Sequence, residues 1–181
     1  MSYSPNAFAD EISATFTDDR YGIGTTRFQT ASEVAGGTSG VNSAITPTLT
    51  VGERMWIFVQ AVTAVAAGDL CSRNAIGTQY NVIPAAANEA DTYVLVGVAD
   101  YDIAALSYGW IIAKGVCVVL VGVGVAAADL LSADGNTAAG SVDTWPGGAG
   151  ASVLSLGEAL ETKAAGAEYG INFVQARIDL L

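Results

Sequence analysis

Val65-Ala66-Ala67-Gly68-Asp69-Leu70 recurs sixty residues on as Val125-Ala126-Ala127-Ala128-Asp129-Leu130, and no other feature constrains the chain as much. Two further landmarks follow in the same order. Val94-Leu95-Val96-Gly97 matches Val153-Leu154-Ser155-Leu156-Gly157 with the glycines sixty apart, and Tyr108-Gly109 matches Tyr169-Gly170 at sixty-one. The series reads as two structural copies, roughly residues 60–115 and 120–178, folded into one unit. Each landmark has a physical use. A small residue followed by Asp lets the chain reverse, and the carboxylate can accept backbone N–H bonds there. Leu70 and Leu130 then return to the core. Gly97 and Gly157 sit inside strands, where a missing side chain permits a bulge or a close neighbouring backbone.

From Glu53 onward, short Val/Ile/Leu/Tyr runs alternate with Gly, Asp and Asn at intervals of about ten residues, the pattern of an all-β sandwich or barrel. The predicted strands are Met55–Val65, Gln79–Ile83, Tyr93–Ala99, Tyr108–Ala113, Val116–Val123, Ser141–Trp145, Ser152–Ala159 and Tyr169–Ile178. Ala159–Ala167 would give a helical turn or a loop. Residues 1–52 differ: rich in Ser, Thr, Asn and Gly, they read as an extended N-terminal arm before a β-barrel domain at 53–181. Within the arm, Phe8, Ile12 and Phe16 fall at i, i+4, i+8 and suit a short amphipathic helix.

Composition narrows function. With 51% apolar and only 14% charged residues, the chain folds but has little charge to solvate its surface, so part of that surface is expected to be covered by partners. Net charge is −11, with 7 Lys and Arg against 18 Asp and Glu, which argues against nucleic acid and against anionic lipid. The N-terminus lacks a basic and an apolar signal region, and the longest apolar run, Val116–Ala128, is too short to span a bilayer. Cys71 and Cys117 lie far apart without metal or redox spacing and read as buried thiols.

There is no histidine, so the usual general base, the Ser-His-Asp and Cys-His sets and most zinc sites are missing. The carboxylate pairs Asp18-Asp19, Asp100 with Asp102, and Glu158 with Glu161 read as solvated charges at loops and strand ends rather than acid–base pairs. No calcium-loop spacing supports Asp100 and Asp102 as ligands. Gly122-Val123-Gly124-Val125-Ala126-Ala127 mimics a dinucleotide fingerprint without the βαβ context it needs. Trp56 and Trp110 lie in apolar runs and read as core. Trp145, beside Pro146-Gly147-Gly148, reads as an exposed anchor. No catalytic residue, cofactor or metal is expected. The interface candidates are Phe8, Ile12, Phe16, Tyr21, Phe28 and Trp145.

The run Ala64–Leu70, then Val96-Gly97-Val98-Ala99, Lys114-Gly115-Val116-Cys117-Val118, Ala127-Ala128-Asp129-Leu130-Leu131 and Leu156-Gly157-Glu158-Ala159-Leu160 resembles the capsid decoration, or cement, proteins of tailed phages. The resemblance covers roughly residues 55–181, not the arm, and departs at Ala128, where the family more often has glycine, so a different turn is expected there. It implies a compact β-barrel or β-tulip fold, homotrimers, and binding to the major capsid protein on the outer face of a virion whose parts are made in the host cytoplasm. The alternative expectation is a head fibre or adhesin module that binds host surface glycans.

Overall fold

A computed structural model describes residues 14–30, 53–74, 80–86, 95–122, 124–133, 139–144, 155–162 and 172–180. Ten strands are present: β1 (Thr26–Gln29), β2 (Arg54–Ala61), β3 (Leu70–Arg73), β4 (Asn81–Pro84), β5 (Leu95–Ala99), β6 (Tyr108–Val121), β7 (Leu130–Ser132), β8 (Asp143–Thr144), β9 (Gly157–Ala159) and β10 (Asn172–Asp179). No helix occurs among the described residues, so none there is long and apolar enough to cross a membrane. The all-β expectation holds. The expectation of one compact barrel is corrected: the strands form one ten-stranded sheet in the order β1-β2-β4-β3-β5-β6-β10-β9-β7-β8, with β1 and β8 at its ends, in which β2 also pairs with β6 and so closes a ring over β2-β4-β3-β5-β6.

Several boundaries move for physical reasons. Lys114-Gly115 separates two predicted strands, yet β6 runs straight through it. Lys114 pairs with Met55 on one strand and Asp179 on another, so its backbone groups stay in the ladder. β3 and β7, of four and three residues, are too short for the alternation rule to register. Of the predicted Ser152–Ala159 strand, residues 152–154 lie outside the described residues and Gly157–Ala159 is strand, and 163–167 of the expected helical turn also lie outside them.

Pairing registers recur along the chain. Cys71↔Pro84 and Ser72↔Ile83 reappear as Leu131↔Thr144 and Ser132↔Asp143. Leu70↔Val98 and Cys71↔Gly97 reappear as Leu130↔Glu158 and Leu131↔Gly157. The parallel pair Ala61↔Val82 has a counterpart in the bridge Val121↔Val142. Each shift is sixty residues. For the last strand it is sixty-five: Gln60↔Tyr108 corresponds to Leu120↔Phe173. Phe173, not Tyr169, therefore stands at the Tyr108 position, and Tyr169 lies outside the described residues.

Side chains of β2 alternate between two clusters. Trp56 and Phe58 enter one with Leu70, Trp110, Val119 and Val174, while Ile57, Val59 and Ala61 enter the other with Val65, Val82 and Ile111. Because both faces are buried, the strand reads as a near-continuous apolar run. Trp56 and Trp110 are core, as their sequence context implies. Gly97 and Gly157 both lie where a Cβ would meet a carbonyl oxygen of the adjacent strand, that of Ile112 and of Arg177.

Gly97→Ala places its Cβ 2.6 Å from the Ile112 carbonyl oxygen within backbone that cannot move aside. Urea denaturation is expected to show a loss of about 1–3 kcal/mol. An unchanged midpoint would contradict the close-approach role.

Candidate functional site

The recurrent hexapeptide folds into a turn stitched by its own aspartate. Asp69 N–H donates to the Ala66 carbonyl at 3.1 Å, and Ala66 N–H donates to Asp69 Oδ2 at 2.8 Å. Sixty residues on, Asp129 and Ala126 make the same two bonds at 3.1 and 2.7 Å. The third residue then docks on a strand: Gly68 N–H donates to Ala99 O, and Ala99 N–H returns to Asp69 O. Ala128 and Asp129 do the same with Ala159. Even the side contact repeats, with Ala67 N–H on Asp102 Oδ1 and Ala127 N–H on Thr162 Oγ1.

This docking geometry needs a left-handed third residue. Gly68 has φ 89° and Ala128 has φ 70°, so the expectation of a different turn at Ala128 is corrected. Alanine follows the glycine path at a steric cost of about 1–2 kcal/mol. The pattern occurs twice more. In Gly22–Thr25, Gly24 has φ 89° and bonds to Phe58. In Ala104–Ser107, Leu106 has φ 61° and bonds to Ala61. The second of these was legible: Ile103-Ala104-Ala105-Leu106-Ser107-Tyr108 is a looser form of the same hexapeptide.

Two of the turns lie side by side, joined by paired backbone bonds between Val65 and Ile103 at 2.9 and 3.0 Å. They border an open cleft whose polar lining is Thr15, Asp69 and Asp102, with Val65 and Ile103 as its apolar walls. Among the described residues no aromatic side chain lines it. Burial raises the Asp69 carboxyl above its ordinary value, Ala66 N–H opposes this, and the Asp102 charge adds to it. Both carboxylates already stitch turns, and the described residues contain no group of three His, Cys, Asp or Glu able to hold a metal.

The other acidic pairs are also structural. Asp18 bonds Arg20, Asp100 faces Arg54, Glu158 faces Arg177, and Glu161 accepts from Gln175 N–H. Both cysteines are buried free thiols; burial raises Cys71 well above the ordinary thiol range and Cys117 to about 12.

The predicted interface residues divide. Phe8, Ile12 and Trp145 lie outside the described residues. Phe16 and Tyr21 are used within the chain. Phe16 exchanges backbone bonds with Tyr108 at 2.7 and 2.8 Å, and both rings pack on Phe58, with Tyr21 also against Trp110. Arg20 covers the Phe16 ring, and Arg27 lies over Tyr21 and Trp110. Such ring pairs contribute about 0.5–1.5 kcal/mol each beyond their area. Residues 14–30 thus clasp the domain through side chains and through β1 on β2. Phe28 points outward at 70% exposure. Sequence reasoning missed two comparable residues, Leu106 at 69% and Leu130 at 43%. Leu130 had a signal pointing the wrong way, since its sixty-residue counterpart Leu70 is fully buried, with its N–H on the Gly140 carbonyl.

No protein-family model matches the chain, and no curated protein does. A solved structure to which it is similar is the head fiber gp8.5 N base of bacteriophage phi29, at 16% identity and a TM-score of 0.45, covering 69% of this chain and 93% of that one. At that score the likeness carries no argument. The resemblance to decoration proteins is corrected: it implies one compact barrel, whereas the strands form one ten-stranded sheet with ends at β1 and β8.

Ala128→Gly is expected to raise stability by about 0.5–1 kcal/mol in urea denaturation, whereas Ala127→Gly lowers it. Equal effects of the two would remove the case for a strained turn. A second expectation concerns pH. Because the folded Asp69 carboxyl sits above its ordinary value, its protonation favours the folded state. That contribution is complete below the unfolded carboxyl value and is lost as pH rises through the folded one. Asp69→Asn should flatten this fall in a melting series from pH 3 upward, a range set by the ordinary carboxyl value of about 3.9.

Proposed function

We propose that the protein is a structural component of a phage virion, of head-fibre rather than shell-cement type, that works by seating against another protein surface. The observation that carries the contact role is the exposure of Phe28, Leu106 and Leu130 on a sheet whose other large apolar side chains, among the described residues, are at least partly buried. Leu106 breaks two local rules together, an apolar tip in solvent on a left-handed backbone, and such conflicts concentrate at functional surfaces. Among the described residues, Asp100, Asp102, Glu158 and Glu161 take structural roles. The phage setting is the part of this reading that the particle-binding experiment decides.

In this reading the partner is the major capsid protein at the outer face of the particle, and the protein acts as a homotrimer, whose three linked contacts would gain avidity. Trp145, Phe8 and Ile12 extend the contact set. The fold is a duplicated five-strand unit, supported by the registers that recur at sixty and sixty-five residues and by the twice-made aspartate stitch. Copies sharing β6 would explain why that strand is fourteen residues long.

Phage particles assembled without this protein provide the test. Purified protein should bind them saturably, and Phe28→Ser with Leu106→Ser and Leu130→Ser should weaken binding about tenfold or more while leaving the melting temperature near that of the parent. Undiminished binding by the triple variant, or no binding by the parent, would overturn the proposal.

A further inference from the structure

Buried charge is rare in this chain. Among the described residues Arg54, Asp69 and Asp100 are the buried charged side chains, and two of them face each other. Arg54 is 5% exposed and Asp100 1%, with Nη1 of the first 3.9 Å from Oδ2 of the second. Burying an ion pair in an apolar core seldom adds stability over an apolar pair of the same size. Its retention calls for another use.

The partners of Arg54 point to one. β2, β3, β4 and β5 pair among themselves and with the first part of β6, while β7, β8 and β9 reach the sheet through β10, which pairs with Lys114–Val121 of β6, and through the bridge Val121↔Val142 at the end of that strand. Arg54 opens β2 in the first group. Its Nη1 faces Asp100, just beyond β5 in the same group, and its Nε donates to the Val116 carbonyl at 2.7 Å, at the start of the β6 segment that carries the second group. One guanidinium thus binds both sides of the junction. Its planar, directional donors suit two partners at a fixed angle, as an ammonium does not. Cys117 and Tyr101 both feel the charges of Arg54 and Asp100, so the pair lies where the two groups meet.

Sixty residues on, the arrangement is absent. Lys114 stands at the Arg54 position and pairs with Asp179 at 2.7 Å, both more than half exposed, and Leu160 stands at the Asp100 position. The buried pair therefore answers a need of the junction and not of each strand group.

We propose that the Arg54–Asp100 pair is a lock that couples the two strand groups, so that they open as one cooperative unit. Asp100 orients the guanidinium, and the guanidinium holds the Val116 segment of β6 against β2.

Native-state hydrogen exchange reads the coupling directly, by comparing amides of Phe58 and Val59 in β2 with those of Val174 and Gln175 in β10. In the parent the two sets should exchange at matched rates. In Arg54→Met/Asp100→Leu, which keeps the core filled, β10 should exchange about tenfold or more faster than β2. Matched rates in that variant would overturn the lock. Should the double variant fail to fold, Arg54→Lys decides on the same ratio, because lysine keeps the charge and loses the second directed donor. A β10-to-β2 ratio unchanged from the parent overturns the proposal there too.

Discussion

Both ends of the sheet depend on the backbone hydrogen bonds of β6. Its first residues complete the ladders of β2 and β5, and its last residues carry β10. Remove the middle of this strand and neither group has a partner for its inner edge, which buried backbone does not tolerate. The Arg54 guanidinium acts at this place, with its Nε–H on the carbonyl of Val116. The large core cluster also passes through it, from Trp56 and Trp110 by way of Cys117 and Val119 to Val174.

Around that strand the chain reuses one local device. Four turns end in a left-handed residue whose N–H docks on a neighbouring strand, and a return bond closes the pair. Two use glycine, where the conformation is cheap, and two use Ala128 and Leu106, where it is strained. Docking evidently outweighs that cost, since the turn keeps its bonds when glycine is replaced. The device also explains how carboxylates that might have done chemistry are consumed: Asp69, Asp129 and Asp102 each accept backbone N–H groups that the turns leave over.

Much of this was legible. The sixty-residue hexapeptide marked two of the four turns and the asparate stitch within them, and the periodic short apolar runs marked an all-β chain. Buried Trp56 and Trp110 followed from their apolar neighbours. The misses share a cause. Lys114-Gly115 looks like punctuation, but pairing on both sides keeps it in strand. Phe16 and Tyr21 pack on the chain's own Phe58, a long-range contact that their local spacing does not announce. Leu130 looks like Leu70, but it is 43% exposed where Leu70 is fully buried.

By itself, then, the sequence determined what is local: where the chain turns, which residues stitch those turns, and which runs are apolar enough to be strands. These depend on backbone conformation and on neighbours a few residues away. Only the tertiary structure decided which strands pair, that the sheet closes a ring through β2 and β6 and keeps ends at β1 and β8 rather than forming the one expected barrel, and which of two equivalent leucines meets solvent. Those outcomes depend on long-range partners, and identical hexapeptide positions carry no record of what will be packed against them.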